Sequence, residues 1–126
     1  MDHAVYSAVF LDHFKNPRNV GELGPPAVTV EISNPICGDI LRLSAMFQDD
    51  RIVDVRYKVR GCTASIASGS ALSEWMRGRT RQELAGLKAA DVEAFVGGLI
   101  PESKHAAVLC VDAVKKLLAG SGKEVR

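Results

Sequence analysis

Apolar and polar positions along this chain of 126 residues change their period twice. At the amino end, AVYSAVFLDHF repeats apolar residues at helical spacing (Val5, Val9, Phe10, Phe14) until NPRNVG interrupts with Pro17 and Gly21. The spacing predicts one helix of about three turns. VTVEIS then alternates Val28, Val30 and Ile32 with Thr29, Glu31 and Ser33, and ILRLSAMFQ does the same through Leu41, Leu43, Ala45 and Phe47. After QDDR, which reads as a turn, VDVRYKVR sets Val53, Val55, Tyr57 and Val59 against Asp54, Arg56, Lys58 and Arg60. Period two with one apolar face predicts three strands, and short connections make them an antiparallel meander.

From Cys62 the period becomes helical. In TASIASGSALSEWMRG, residues Ala64, Ala67, Ala71, Leu72, Trp75 and Met76 share one face and Gly78 ends the run. Thr80 and Glu83 form a capping-box pair, DVEAFV suggests a further short helix, and VGGLIPESK reads as a loop. HAAVLCVDAVKKLLAG closes the chain as a helix with Asp112, Lys115, Lys116 and Ala119 toward solvent. Strands gathered before helices predict one α+β domain over residues 1–126, a three-stranded antiparallel sheet with helices packed on one face.

Composition narrows the function classes. Sixteen basic and fifteen acidic residues nearly cancel, so no single-sign field marks a nucleic acid or a membrane as partner. The first fifteen residues carry Asp2, Asp12, His3 and His13, which does not suit a secretory signal, and no apolar run approaches the roughly 18 residues of a membrane span. A cytoplasmic protein is expected. Three cysteines with no CxxC argue for reduced thiols, packed or metal-bound, rather than a disulfide framework. Arg77, Arg79 and Arg81 read as a solvated face, and His3, His13, Trp75 and Met76 as structural.

Two of the thiols are set to meet. With Asp49 and Asp50 at the hairpin tip, partners across the second hairpin sum to about 99, as Cys37 and Cys62 do. Extending the register puts both at the sheet end away from the turn, within about a residue or two. Gly38 lets the chain bend beside Cys37, and Asp39 adds a carboxylate. Cys62 opens a helix, where unpaired N–H groups and the dipole favour a thiolate, and Arg60 adds positive charge. A lone cysteine most often packs as a small hydrophobe. This pair, flanked by Gly and Asp, instead suits a four-ligand site for zinc or for iron with sulfide, completed by a histidine from elsewhere.

NPICGD, VRYKVRGCTASIASGS, GSALSEWMRGRT and the opening YSAVFLDHFKNPRNVG resemble the IscU-type iron-sulfur scaffold family, which includes the amino-terminal module of NifU and the SufU proteins. The likeness runs over nearly the whole chain, and the extra segment typical of SufU is missing. It implies a non-enzymatic carrier on which a labile [2Fe-2S] cluster is built. Sulfur would come from a pyridoxal-phosphate cysteine desulfurase and iron from a separate donor, and the product would pass to apo-proteins. Relatives also bind zinc in the same pocket. The resemblance carries ligand roles onto Cys37, Asp39, Cys62 and His105, with Asp39 as the weaker oxygen ligand that keeps the cluster labile.

Two departures stand out. The family's final motif is His-Cys, whereas here His105 is followed by Ala106. Cys110, four residues on, lies about 6 Å farther along an ideal helix and turned by about 40°, so packing in the core is its expected place. The family's chaperone loop, Leu-Pro-Pro-Val-Lys, becomes Leu99-Ile100-Pro101-Glu102-Ser103, so delivery through that dedicated chaperone is not expected. Two other readings stand beside the scaffold: a zinc-binding relative that regulates a desulfurase, and a relay that passes on persulfide.

Overall fold

The computed structural model describes residues 6–35 and 38–125, with side chains through residue 120. Its elements in chain order are α1 (Ala8–Lys15), β1 (Val28–Ser33), β2 (Ile40–Gln48), β3 (Arg51–Arg60), α2 (Thr63–Met76), α3 (Arg81–Ala85), α4 (Ala89–Phe95), a 3-10 turn (Pro101–Ser103) and α5 (His105–Val125). The strands form one antiparallel sheet in the order β1-β2-β3. Its inner face (Val30, Leu41, Leu43, Ala45, Val55, Tyr57) is buried, and α2 and α5 lie over it with Ala64, Ala67, Leu72, Ala113, Val114 and Leu117. Glu31 and Lys58 on the other face are exposed, so the period-two pattern divides as expected.

Asp49 and Asp50 form the β2–β3 turn with positive φ of 53° and 70°, the geometry a two-residue hairpin needs and one that Asp tolerates. Pairs sum to 99 for Gln48–Arg51 and Phe47–Ile52, then to 100 from Met46–Asp54 onward. The irregularity leaves Val53 as an extra residue, 46% exposed. It moves the expected register by one, and Ile40–Arg60 is its last strand pair. Extended outward, the ladder points Asp39 at Gly61 instead of Arg60; Cys37, one half of the expected Cys37–Cys62 meeting, lies outside the described residues. Since side chains alternate faces, this single step decides which residue at the end of β3 stands opposite Asp39.

The first helix is shorter than its apolar pattern predicts. Ser7 caps it, its Oγ accepting from Phe10 N–H at 3.0 Å and donating to the Val96 carbonyl at 2.8 Å, so the helix begins at Ala8. Val5 and His3 lie outside the described residues. Phe10 and His13 turn inward, Tyr6 stacks on Phe10 at 3.9 Å, and Val9 and Phe14 face solvent. Trp75, expected in the core, is only half-buried: Phe95 stacks on it and the Arg79 guanidinium covers it at 4.9 Å. Met76 is fully buried. The Thr80–Glu83 capping box is present, and the three arginines after α2 are turned onto the protein, Arg77 to Asn19 and Asp54, Arg79 to the Trp75 carbonyl, and Arg81 to Asp50.

NPRNVG does more than end a helix. Gly21 donates to the Tyr57 carbonyl and Tyr57 to that of Asn19, both at 2.9 Å, so the segment pairs with β3 at Val20–Tyr57. Asn19 bonds Ser73 at 3.0 Å, and the Arg18 N–H donates to Ser70 Oγ at 2.9 Å. Ser70 in turn donates to His13 Nδ1 at 2.7 Å, which also accepts from Arg18 Nη1 at 3.2 Å. With Nδ1 accepting twice, the proton belongs on Nε2, which faces Glu74 at 3.6 Å. The serines of α2 are therefore not a polar face. Ser65, Ser68, Ser70 and Ser73 are buried, and small side chains let neighbouring backbones come close. A Cβ on Gly69 would lie 2.6 Å from the Tyr57 ring.

Two outcomes follow from these contacts. Gly69→Ala has to push Tyr57 aside, and the overpacking outweighs the gain in helix propensity, so a loss of about 1–3 kcal/mol is expected in urea unfolding. Burial pushes the His13 imidazole below its ordinary value, Arg18 adds to that, and Glu74 and Asp12 oppose it. A lowered folded-state value means stability is full above about pH 6.5 and falls as pH drops below it, because the unfolded chain takes up the proton that the folded one resists. Urea midpoints measured from pH 7.5 to 5.5 should fall more steeply for the native chain than for His13→Gln.

Candidate metal centre

The site forms where the β1–β2 loop meets the start of α2. Asn34 N–H donates to the Asp39 carbonyl at 2.8 Å and Gly38 N–H to the Asn34 carbonyl at 2.7 Å, closing the loop so that Asp39 emerges at the root of β2. β3 ends at Arg60, Gly61 turns the chain, and Cys62 becomes the N-cap of α2 with φ −78° and ψ 168°. The Cys62 carbonyl starts the helix by accepting from Ser65 and Ile66 N–H, both at 3.1 Å. Asp39 Oδ2 reaches the Cys62 N–H at 3.4 Å. In a capping box, a carboxylate three residues into the helix takes that role. Here the third helical residue is Ser65, and the carboxylate comes from another element.

Gly61 is the reason Asp39 fits. A Cβ there would lie 2.5 Å from the Asp39 Cγ, so the carboxyl group rests on bare backbone. Asp39 is 5% exposed. Burial pushes its carboxyl up, but hydrogen bonds from Ser65 and from Cys62, with the nearby His105, outweigh that and hold it below the usual carboxylate range. It is an anion at neutral pH.

His105 arrives as the first residue of α5, half-buried, with Nε2 3.4 Å from Asp39 Oδ2 and 3.6 Å from Cys62 Sγ. One ligand atom each of Asp39, Cys62 and His105 lies within 4.8 Å of the others. A tetrahedral zinc with bonds of about 2.0–2.1 Å to N and O and about 2.3 Å to S has N···O edges of about 3.4 Å and S···N edges of about 3.6 Å. The two spacings fit that polyhedron, and the S/N/O donor set suits zinc or iron.

Cys37 lies outside the described residues. Cys110 is 1% exposed inside α5, its thiol pushed up to about 12 by burial alone. Ala106 is completely buried and joins the core beside it. Sequence reasoning passed over Ser65 and Gly61. Counting from an N-cap at Cys62 was the available signal for Ser65, whereas Gly61 has none without the Asp39 position.

A buried carboxylate, a thiol and an imidazole stand together at one end of the α+β sheet, a group that could hold a metal ion. The sequence profile described as the NifU-like N-terminal domain matches residues 5–121, and the chain belongs to that family. It is 39% identical over 114 residues to the iron-sulfur cluster assembly scaffold protein IscU of Azotobacter vinelandii, covering 87% of this chain and 88% of that one. Against the protein of the same name from Escherichia coli K12 the figures are 35% over 118 residues, 90% and 91%. The crystal structure of FiSufU from Fervidobacterium islandicum AW-1 superposes with a TM-score of 0.75 at 24% identity, over 94% of this chain and 99% of that one, which shows the shared fold. The expected α+β family and its three-stranded sheet are thus confirmed. No helix among the described residues is long and apolar enough to cross a membrane.

Burial separates the thiols. In a Cys37→Ser variant, an aromatic disulfide reagent should titrate one thiol, Cys62, in the folded protein and a second, Cys110, only in denaturant.

Proposed function

We propose that this chain is an iron-sulfur assembly scaffold that holds a labile [2Fe-2S] cluster through Cys37, Asp39, Cys62 and His105 and passes it to apo-proteins. The convergence of Asp39, Cys62 and His105, with the two spacings from His105 at tetrahedral values, in a member of this family, carries the proposal. The curated relatives bear the name of cluster assembly scaffold proteins. Cys37 enters by chain connectivity, two residues before Asp39.

The cluster is cargo, and the residues supply its cradle. Cys62 must lose its proton to bind iron, and the helix N-terminus favours the resulting anion. Asp39 is already ionised and gives an oxygen ligand that soft iron holds less firmly than thiolate, which favours release. His105 adds a neutral nitrogen. Sulfur arrives from a cysteine desulfurase and iron from a separate donor; no enzymatic turnover is assigned to the chain, and the cytoplasm is its proposed location.

The second reading, a zinc-binding regulator or sulfur relay for a desulfurase, is favoured by Ala106, which removes one thiol where the family motif has cysteine. Anaerobic incubation with desulfurase, cysteine and ferrous iron decides between them. The scaffold reading expects visible sulfide-to-iron absorption, abolished by Cys37→Ser and by Cys62→Ser. A colourless product with about one tightly held zinc would replace it with the second reading.

A further inference from the structure

We propose that Ser65 is the positioning residue of this centre: its hydroxyl aims the Asp39 carboxylate at an ion shared with Cys62 and His105. The inference rests on the metal-binding reading above and deepens it by assigning a residue that is not itself a ligand.

Ser65 is 2% exposed and donates to Asp39 Oδ2 at 2.6 Å, while its oxygen accepts from Cys62 Sγ at 3.5 Å. The hydroxyl therefore sits between carboxylate and thiol. Its short bond to an anion is of the charge-assisted kind, roughly twice as strong as a neutral one. The other groups at the same oxygen, Cys62 N–H and His105 Nε2, are both at 3.4 Å, near the outer limit of a hydrogen bond. Ser65 thus contributes most to fixing the rotamer of a side chain that springs from a loop. Gly61 closes the opposite side, since a Cβ there would occupy the space of the carboxyl carbon. A serine serving only its own helix would bond a backbone group of that helix. This one reaches across 26 positions of sequence to a different element.

The test uses the full chain and metal ions alone. Zinc affinity is measured by competition with a chromophoric chelator, and the geometry is read from cobalt(II) d–d and thiolate charge-transfer bands. Ser65→Ala should weaken zinc binding by about 10- to 100-fold, as for other groups that orient a metal ligand. It should shift the d–d bands while the Cys62 thiolate band persists. In an Asp39→Ala background the same substitution should change affinity by less than about two-fold, because its route to the ion is gone. Gly61→Ala, which displaces the carboxylate from the other side, should reproduce both results, and it serves as the test if Ser65→Ala does not give a native circular dichroism spectrum.

An unchanged affinity in a folded variant would overturn the proposal. So would an equal loss with and without Asp39, or a native chain that binds neither ion. A colourless iron reconstitution with the zinc coupling intact would instead overturn cluster assembly and leave the role of Ser65 standing.

Discussion

The Asp39 carboxylate is the interaction on which the functional end of the molecule depends. Three groups from two elements, the Ser65 hydroxyl, the Cys62 N–H and the His105 imidazole, converge on one of its oxygens. An anion buried this far is tolerable only when donors replace its lost water, and here the donors are the unpaired end of a helix and a residue in its first turn. The same contacts bind the β1–β2 loop to the mouth of α2. Cap and candidate ligand are thus one group.

A second set of contacts keeps α2 where that arrangement needs it. The NPRNVG segment lies along β3, Ser70 joins the Arg18 backbone to a neutral His13, and Asn19 reaches Ser73. Small residues on α2 let the helix approach the sheet closely enough for the Tyr57 hydroxyl to donate to the Ile66 carbonyl at 2.9 Å. Buried hydroxyls are acceptable on this helix because Ser65, Ser70 and Ser73 each have partners across the interface, Asp39, the Arg18 N–H and Asn19 respectively. Among the described residues the Ser68 Oγ has no hydrogen-bond partner, and nothing in its surroundings explains it.

Donor chemistry joins the fold to the proposed cargo. Among the described residues, one thiol, one carboxylate and one imidazole make a donor set that is partly soft and partly hard, which suits zinc or iron. Ala106 reduces the thiolate count where the family motif carries cysteine, and Cys110 does not compensate because its side chain lies in the hydrocarbon core. Retention in such a centre depends on how well the hard ligand is aimed. A residue that orients Asp39 therefore matters here more than it would beside three thiolates.

Local periodicity was enough to place the three strands, the Asp49–Asp50 turn, α2, the Thr80 capping box and α5, because alternation and helical spacing are properties of neighbours along the chain. Motifs were enough to single out Asp39, Cys62 and His105, whose spatial meeting the tertiary structure then supplied. What the sequence could not decide were features set by distant partners. The Val53 irregularity shifts the register by one, so the ladder extended past Ile40–Arg60 sets Asp39 against Gly61 instead of Arg60. The inward turn of His13, the burial of the α2 serines, and the close approaches at Gly61 and Gly69 depend on what stands opposite each residue after folding. A chain specifies its periods locally, but a one-residue offset between strands or a missing Cβ under a carboxylate acquires meaning only when the second surface is in place.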